Sequence, residues 1–160
     1  MRLSLARKIL VADKSKCTGC HSCEIWCAFH HGNDCTPSLG RLKVVSFEDK
    51  GDFVPMICHH CRDPWCLNAC PVNAITRDKE TNAVVILQEL CTGCQACAQA
   101  CPFGVIRVTD KGDVLKCDLC DGNPVCVWSC TRGALKYIDA SQAYVDKATA
   151  AAVKSLKGTV

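Results

Sequence analysis

Cysteine spacing is the feature that most constrains what this chain can fold into. Of its 160 residues 17 are cysteine, above the level that marks a cysteine-held scaffold in short chains. All but Cys35 fall into four sets of four. Set I is Cys17, Cys20, Cys23 and Cys27, set II is Cys58, Cys61, Cys66 and Cys70, set III is Cys91, Cys94, Cys97 and Cys101, and set IV is Cys117, Cys120, Cys126 and Cys130.

The spacing within the sets favours iron–sulfur ligation. Sets I and III follow C-x2-C-x2-C-x3-C, and sets II and IV widen the middle gap but keep the x3 step. A tight loop of three cysteines wraps one face of a cubane, and the fourth ligand comes from elsewhere. Zinc ribbons use two C-x2-C pairs with a long spacer. We predict four [4Fe–4S] clusters with all members of sets I to IV as iron ligands.

Disulfides are the other common use of cysteine, and they need an oxidising compartment. Residues 1–10 contain no apolar stretch of signal-peptide length, and no run approaches the 18 apolar residues of a membrane span. We therefore expect a cytoplasmic chain without direct membrane insertion, or one exported together with a signalled partner. Reduced thiols in that compartment favour metal ligation.

The formal net charge of +3 counts every cysteine as neutral. An oxidised cluster with four thiolates adds about −2, so four such sites would bring the loaded chain to about −5. The charge therefore gives no support to nucleic-acid binding.

Short elements are predicted between the sets. Three segments show the apolar–polar alternation of strands on either side of a bend with Gly, Asn or Asp. This pattern predicts hairpins at residues 41–55, 75–87 and 105–115. The x3 step suits a helical turn, so we expect a short helix over Cys23–His31 with Gly32 as its stop.

The segment 141–158 has a different pattern. Its apolar residues recur at helical spacing and predict an amphipathic helix beyond the last cysteine set. They are Val145, Ala148, Ala152 and Leu156. This helix packs on its own domain or docks on another subunit or copy.

Several motifs resemble the iron–sulfur subunits of the dimethyl sulfoxide reductase type. The resemblance rests on Cys58-His59-His60-Cys61 with Cys70-Pro71-Val72-Asn73-Ala74-Ile75, on Cys101-Pro102-Phe103-Gly104-Val105, and on Lys116-Cys117-Asp118-Leu119-Cys120 with Gly133-Ala134-Leu135. It covers about Ile9 to Tyr137. It implies an inner unit of sets II and III flanked by an outer unit of sets I and IV. Only sets II and III carry the Cys-Pro ending, which agrees with that pairing.

The resemblance also implies that the last cysteine of each set ligates the cluster of the paired set. The four implied ligand groups are Cys17/Cys20/Cys23 with Cys130, Cys117/Cys120/Cys126 with Cys27, Cys58/Cys61/Cys66 with Cys101, and Cys91/Cys94/Cys97 with Cys70. The expected fold is α+β, with two nested ferredoxin-like units of short hairpins and helices. The four-cluster domain would span 1–138, with the inner unit at about 55–104 and the outer unit at 9–54 and 105–138, and the tail would span 139–160.

The function we expect is relay of single electrons, without catalysis by the chain itself. The chain is compact and in that respect resembles small iron–sulfur subunits of tungsten aldehyde oxidoreductases. This resemblance implies a catalytic subunit with tungsten or molybdenum, and a flavin subunit or other electron acceptor. A free polyferredoxin serving several enzymes and a zinc-binding or assembly scaffold remain alternatives. Copies could also stack head to tail.

Some residues beside the sets have two possible roles. His59 and His60 could ligate a cluster, but set II already has four cysteines, so hydrogen bonding to a cluster sulfur is the favoured role. Cys35 is expected to be a spare buried thiol. Trp26, Trp65 and Trp128 are expected to shield clusters from water. Lys14, Lys16, Lys111 and Lys116 are either solvated surface charges or a local offset to cluster charge.

Overall fold

The computed structural model describes residues 8–141, so the predicted tail helix lies outside the described residues. In the described part, four pairs of short strands combine with four short α-helices. The strands are β1 Lys8–Ala12, β2 Lys43–Phe47, β3 Asp52–Met56, β4 Ile75–Arg77, β5 Val84–Ile86, β6 Arg107–Val108, β7 Val114–Leu115 and β8 Leu135–Asp139. The α-helices are α1 Ser22–Gly32, α2 Trp65–Asn68, α3 Ala96–Ala100 and α4 Val125–Trp128. This small architecture confirms the expected α+β class with its short hairpins and helices.

Three of the strand pairs are local antiparallel hairpins, and they fall where the sequence predicts them. They are β2 with β3, β4 with β5 and β6 with β7. Gly51 and Gly112 occupy the first and third bends at φ 63° and φ 90°, a region that glycine adopts without steric cost. In the second bend, Asp78 accepts hydrogen bonds from the backbone N–H and the hydroxyl of Thr81. These turn residues explain why short segments can form hairpins.

The fourth strand pair joins distant parts of the chain. Strand β1 runs antiparallel to β8, with Lys8 opposite Asp139 and Ala12 opposite Leu135. No local turn signal predicts such a pair, because its strands lie at opposite ends of the described residues. The pairing brings the segment that precedes set I against the segment that follows set IV.

Helix α1 confirms the helix predicted before Gly32. It spans Ser22–Gly32, and the flanking residues His21 and Asn33 both have left-handed backbone angles. The N–H group of Asn33 closes the helix on the carbonyl of Phe29 at 2.8 Å. Gly32 is the last helical residue, so Asn33 provides the left-handed cap that we expected from glycine.

The apolar interior is divided into two core groups. The first contains Leu10, Leu42, Val44, Ile57, Ala83, Leu119 and Leu135, and the second contains Ile75, Val84, Ile106 and Val114. Both groups also contain cysteines, so the sulfur atoms form part of the core. Among the described residues, no helix is long and apolar enough to cross a bilayer.

Candidate metal centre

Each of the two core groups combines cysteines from two of the four sets. The first group contains members of sets I and IV, and the second contains members of sets II and III. In the first group Cys23, Cys27 and Cys126 are buried, with Cys17, Cys117 and Cys130 packed against them. In the second, Cys66 and Cys97 are buried, with Cys70, Cys91 and Cys101 packed against them. Sets far apart in sequence therefore lie together in space.

Two cavities in the second group are each lined by four cysteines. One cavity is lined by Cys58, Cys61, Cys66 and Cys101, together with His60, Lys116 and apolar residues. The other is lined by Cys70, Cys91, Cys94 and Cys97. In each cavity three thiols come from one set and the fourth is the last cysteine of the other set.

In the first group, too, the last cysteine of each set lies beside the cysteines of the other set. Burial, together with the negative charges of Glu24, Cys20 and Cys130, raises the pKa of the Cys23 thiol to about 12. Burial also raises the pKa of Cys126, with added contributions from Cys117, Cys27 and Cys120. Cys130 therefore lies beside set I, and Cys27 lies beside set IV.

The loops of sets I and III share one backbone shape. Gly19 and Gly93, in the middle of these loops, have φ angles of 68° and 69°. His21 and Gln95, which precede α1 and α3, have φ angles of 57° and 63°. This repeated left-handed pattern curls the backbone around three closely spaced thiols. Glycine adopts such positive φ angles without steric cost.

The last cysteines of the sets are also held by a repeated turn. The N–H groups of Asn73, Gly104 and Gly133 bond to the carbonyls of the cysteines three residues before them, and each residue has a positive φ. After two of these turns, the N–H groups of Ala74 and Ala134 donate to the Sγ atoms of Cys70 and Cys130, both at 3.3 Å. Such bonds orient the thiolate and stabilise its charge.

The donor chemistry of these sites fits a bound iron–sulfur cluster. Groups of four sulfur donors suit zinc or iron–sulfur clusters and do not suit hard cations such as magnesium. Burial raises the thiol pKa at Cys23, Cys66, Cys97, Cys117 and Cys126. A buried thiolate is unfavourable unless a cation compensates it, and a bound metal supplies that charge. The arrangement is therefore a set of metal sites rather than a simple apolar core.

A charged triad ties set I to set IV. The Nε2 atom of His31 lies 3.1 Å from Oδ1 of Asp118, and the Nη1 atom of Arg41 donates to Oδ2. Burial opposes protonation of His31, but hydrogen bonds to Asp118, Cys120 and Cys27 raise its pKa to about 12. Burial opposes ionisation of Asp118, yet His31 and Arg41 hold its pKa below the usual range. His31 is thus an imidazolium beside two predicted ligands.

Two buried charged residues near the sites were not singled out correctly from sequence. Glu24 on α1 is buried and its Oε1 atom accepts the N–H of Val44 at 2.9 Å. Lys116 is 4 % exposed, whereas Lys14, Lys16 and Lys111 are exposed. Of the two roles considered for these lysines, solvated surface charge is wrong for Lys116. In the sequence, the position of Lys116 directly before the predicted ligand Cys117 is the signal that could have indicated its burial.

The remaining side chains beside the sets differ in placement. His60 is buried and its Nδ1 atom accepts the N–H of Val84 at 2.9 Å, while the exposed His59 ring packs edge-on against Phe103. The three tryptophans are exposed large hydrophobic residues, and Trp65 is 62 % exposed. Trp26 contacts Trp128 with ring centroids 5.0 Å apart.

The expectation of a buried Cys35 thiol is wrong. Cys35 is exposed and belongs to neither core group. Its loop turns because Asp34 accepts hydrogen bonds from the N–H and hydroxyl of Thr36, at 2.8 Å and 2.6 Å. This local turn keeps the intervening residue at the surface.

The fold and its paired cysteine sets define a ferredoxin-type iron–sulfur protein. A family model described as "4Fe-4S dicluster domain" matches residues 50–140, more than half of the chain. The chain belongs to this 4Fe-4S dicluster family. The expectation of an electron-transport protein with [4Fe–4S] clusters is confirmed at this level.

Several relatives are named as electron-transport proteins or oxidoreductase subunits. The chain is similar to the Electron transport protein HydN of Escherichia coli, at 33 % identity over 69 % of this chain and 74 % of the relative. It is similar to the polyferredoxin-like subunit of an aliphatic sulfonate oxidoreductase from Pyrococcus furiosus, at 45 % over 68 % and 63 %. Formate hydrogenlyase subunit 2 of Escherichia coli is 42 % identical over 62 % of this chain and 47 % of the relative. The chain thus spans about half the length of that subunit.

A solved structure shares the fold. The active site complex BamBC of benzoyl coenzyme A reductase contains a chain with a TM-score of 0.50 and 27 % identity, covering 82 % of this chain and 76 % of that one. These relatives agree with a role in electron transfer rather than in catalysis.

Proposed function

We propose that this chain relays single electrons through four [4Fe–4S] clusters between a catalytic oxidoreductase subunit and a second redox partner. The catalytic subunit would carry tungsten or molybdenum, as in the family of the dimethyl sulfoxide reductase type, and the second partner would be a flavin subunit or another acceptor. The names of the relatives support an oxidoreductase partner in general. The clusters supply reversible one-electron chemistry when bound.

The observation that carries the proposal is the repeated placement of four cysteines about one cavity or core position. Both cavities of the second core group are lined by four thiols from two sets. In sets I and IV, Cys23 interacts electrostatically with Cys130, and Cys126 interacts with Cys27. We therefore assign the ligand groups as predicted, with Cys130, Cys27, Cys101 and Cys70 as the crossing ligands.

The protein's own residues have three tasks in this function. The left-handed loops at Gly19 and Gly93 present three thiolates to one site. Backbone N–H groups donate to the crossing thiolates, at 3.2 Å from Arg41 to Cys27 and at 3.3 Å from Ala74 to Cys70. The apolar core buries part of the ligand set, namely Cys23, Cys27, Cys58, Cys66, Cys97 and Cys126. Hydrogen bonds and solvent exposure are the levers by which a protein sets cluster potentials.

Anaerobic native mass spectrometry of the protein purified from its own source tests the proposal. We expect a mass increment of four Fe4S4 units and copurification with a larger oxidoreductase subunit. Four clusters without any partner would favour the free polyferredoxin. Zinc, or fewer than four clusters per chain, would contradict the proposal.

The crossing assignment has its own test. Cys101→Ser is expected to remove the cluster held mainly by Cys58, Cys61 and Cys66, and to leave the one held by Cys91, Cys94 and Cys97. Cys35→Ser provides the matched control, because this thiol lies outside both core groups. Electron paramagnetic resonance (EPR) of the reduced variants identifies which signal is lost. Loss of the signal that Cys94→Ser also removes would refute the assignment.

A further inference from the structure

Lys116 is a buried cation at the junction of the two cysteine groups. It follows β7 directly, precedes Cys117 of set IV and lines the cavity of Cys58, Cys61, Cys66 and Cys101. Of the lysines that the structure describes, Lys116 is the one that is buried. Burial of a lysine is costly unless its charge is compensated and its donors are bonded.

Every donor of this ammonium group has a nearby acceptor. The Nζ atom lies 3.5 Å from the Sγ atom of Cys58 and 3.4 Å from the carbonyl oxygen of Cys117, and it also donates to the carbonyl of Val84. An ammonium group has three donors and no acceptor, so three acceptors match it fully. A neutral amine would place a lone pair against one of them. The geometry therefore fits the charged form of Lys116.

The contacts of Lys116 join the inner and outer units. Cys58 belongs to set II, Val84 begins β5 of the inner unit, and Cys117 belongs to set IV. Cys58 and Cys117 are also electrostatic neighbours, since burial first and then the charge of Cys58 raise the pKa of Cys117. Lys116 thus contacts residues of both units, including a cysteine of set II and the backbone of a cysteine of set IV.

A positive charge at this place affects one site more than the others. An added electron increases the negative charge of the site to which Cys58 belongs, and the ammonium group at 3.5 Å from Sγ stabilises that charge. The effect is weakly screened because the ammonium group is buried. The same group contacts the set IV ligand segment by a hydrogen bond to the backbone carbonyl of Cys117 and acts on the Cys117 thiol through its charge, whereas its contact with a ligand sulfur is the one to Cys58.

We propose that Lys116 is the positioning residue that favours the electron on the Cys58 side of the junction between the two units. Its ammonium group orients the Cys58 thiolate and raises the reduction potential of the site that Cys58 serves. This inference rests on the proposed function and adds the residue that biases electron distribution between the inner and outer units.

Redox titration of the holoprotein, followed by EPR, tests this inference. Lys116→Gln and Lys116→Met remove the charge at similar side-chain length. We expect the reduction equilibrium of one site to shift at least tenfold toward the oxidised form, which corresponds to about 59 mV for one electron. The other sites should shift less. Lys116→Arg keeps the charge and is expected to titrate close to the unmutated protein.

Lys111→Met is the matched control, because it removes the same charge from an exposed residue in the bend between β6 and β7. If both neutral variants at position 116 titrate as the unmutated protein does, the inference is overturned and the proposed function stands. An unmutated protein without reducible iron would overturn the proposed function as well.

A measurement on the unmutated protein covers the case in which the variants do not assemble. The protein is produced with lysine labelled with 15N at its side-chain nitrogen and is then reduced with dithionite. We expect a hyperfine coupling between this nitrogen and one reduced site, since Nζ of Lys116 contacts a ligand sulfur. A spectrum in which no reduced site couples to a lysine side chain would overturn the inference.

Discussion

Asp118 joins the segments of set I and set IV through charge, and its removal is expected to have a large effect. The carboxylate accepts hydrogen bonds from His31, Arg41 and the N–H of Cys120. In Asp118→Asn the amide oxygen can keep the bond to Cys120, but the amide nitrogen cannot accept from Arg41, and the charge is lost. The bond from Arg41 is therefore lost, and the bond from His31 to Oδ1 loses its charged acceptor, so two charge-assisted bonds are lost or weakened.

The magnitude follows from the partial burial of this triad. Hydrogen bonds to charged groups contribute about 1.5–3 kcal/mol each. The side chains of Asp118, Arg41 and His31 are 26 %, 19 % and 13 % exposed, so we take the low end for two bonds, about 3 kcal/mol in total. If the triad is broken in the transition state for unfolding, this corresponds to about 100-fold faster unfolding.

The assay is anaerobic unfolding of the holoprotein in guanidinium chloride, followed by loss of visible cluster absorbance. A rate is used because proteins that lose a cofactor on unfolding do not follow reversible two-state behaviour. Asp110→Asn is the control, since Asp110 is exposed in the bend between β6 and β7. An Asp118→Asn protein that unfolds less than threefold faster than this control would refute the argument.

Three further substitutions test the site from other directions. Gly19→Ala would place a Cβ atom 2.3 Å from the Phe53 ring at a φ of +68°, so we expect fewer clusters per chain by iron and sulfide analysis. Gly51→Ala, at a φ of +63° in open space, should keep the full content, and equal losses in both would contradict the packing argument. Glu24→Ala leaves the buried N–H that β2 donates without its acceptor, which costs about 1–3 kcal/mol, so we expect faster unfolding in the same anaerobic rate assay, an effect that Glu24→Gln largely reverses. Cys35→Ser should keep the full iron content, and a loss of iron would assign a ligand role to this exposed thiol.

Local signals in the sequence were sufficient for much of this fold. The three hairpins have turn residues within a few positions of their strands, and helix α1 follows from the x3 step of set I. The pairing of β1 with β8 could not be predicted, because it depends on contacts between residues more than a hundred positions apart. Predictions that depend on distant contacts are in general the less reliable ones.

At the cysteine sites, too, local features could be predicted from the sequence and features that depend on distant contacts could not. The cysteine sets were recognised from spacing alone, and the left-handed loops at Gly19 and Gly93 follow from the same motif. The burial of Lys116 and the bond between His31 and Asp118 arise from the packing of one set against another. Cys35 was expected inside because free cysteine is usually buried, but the turn at Asp34 keeps it outside.

The pairing of β1 with β8 has a consequence for how the protein is made. During synthesis the segment with β1 and set I emerges early, and β8 emerges only after set IV. The second core group draws on residues 66–114 and can therefore form before the first. Cys23 must wait for Cys126 and Cys130 to leave the ribosome before its core group closes. We therefore expect the set I thiols to be enclosed last, once set IV has been synthesised.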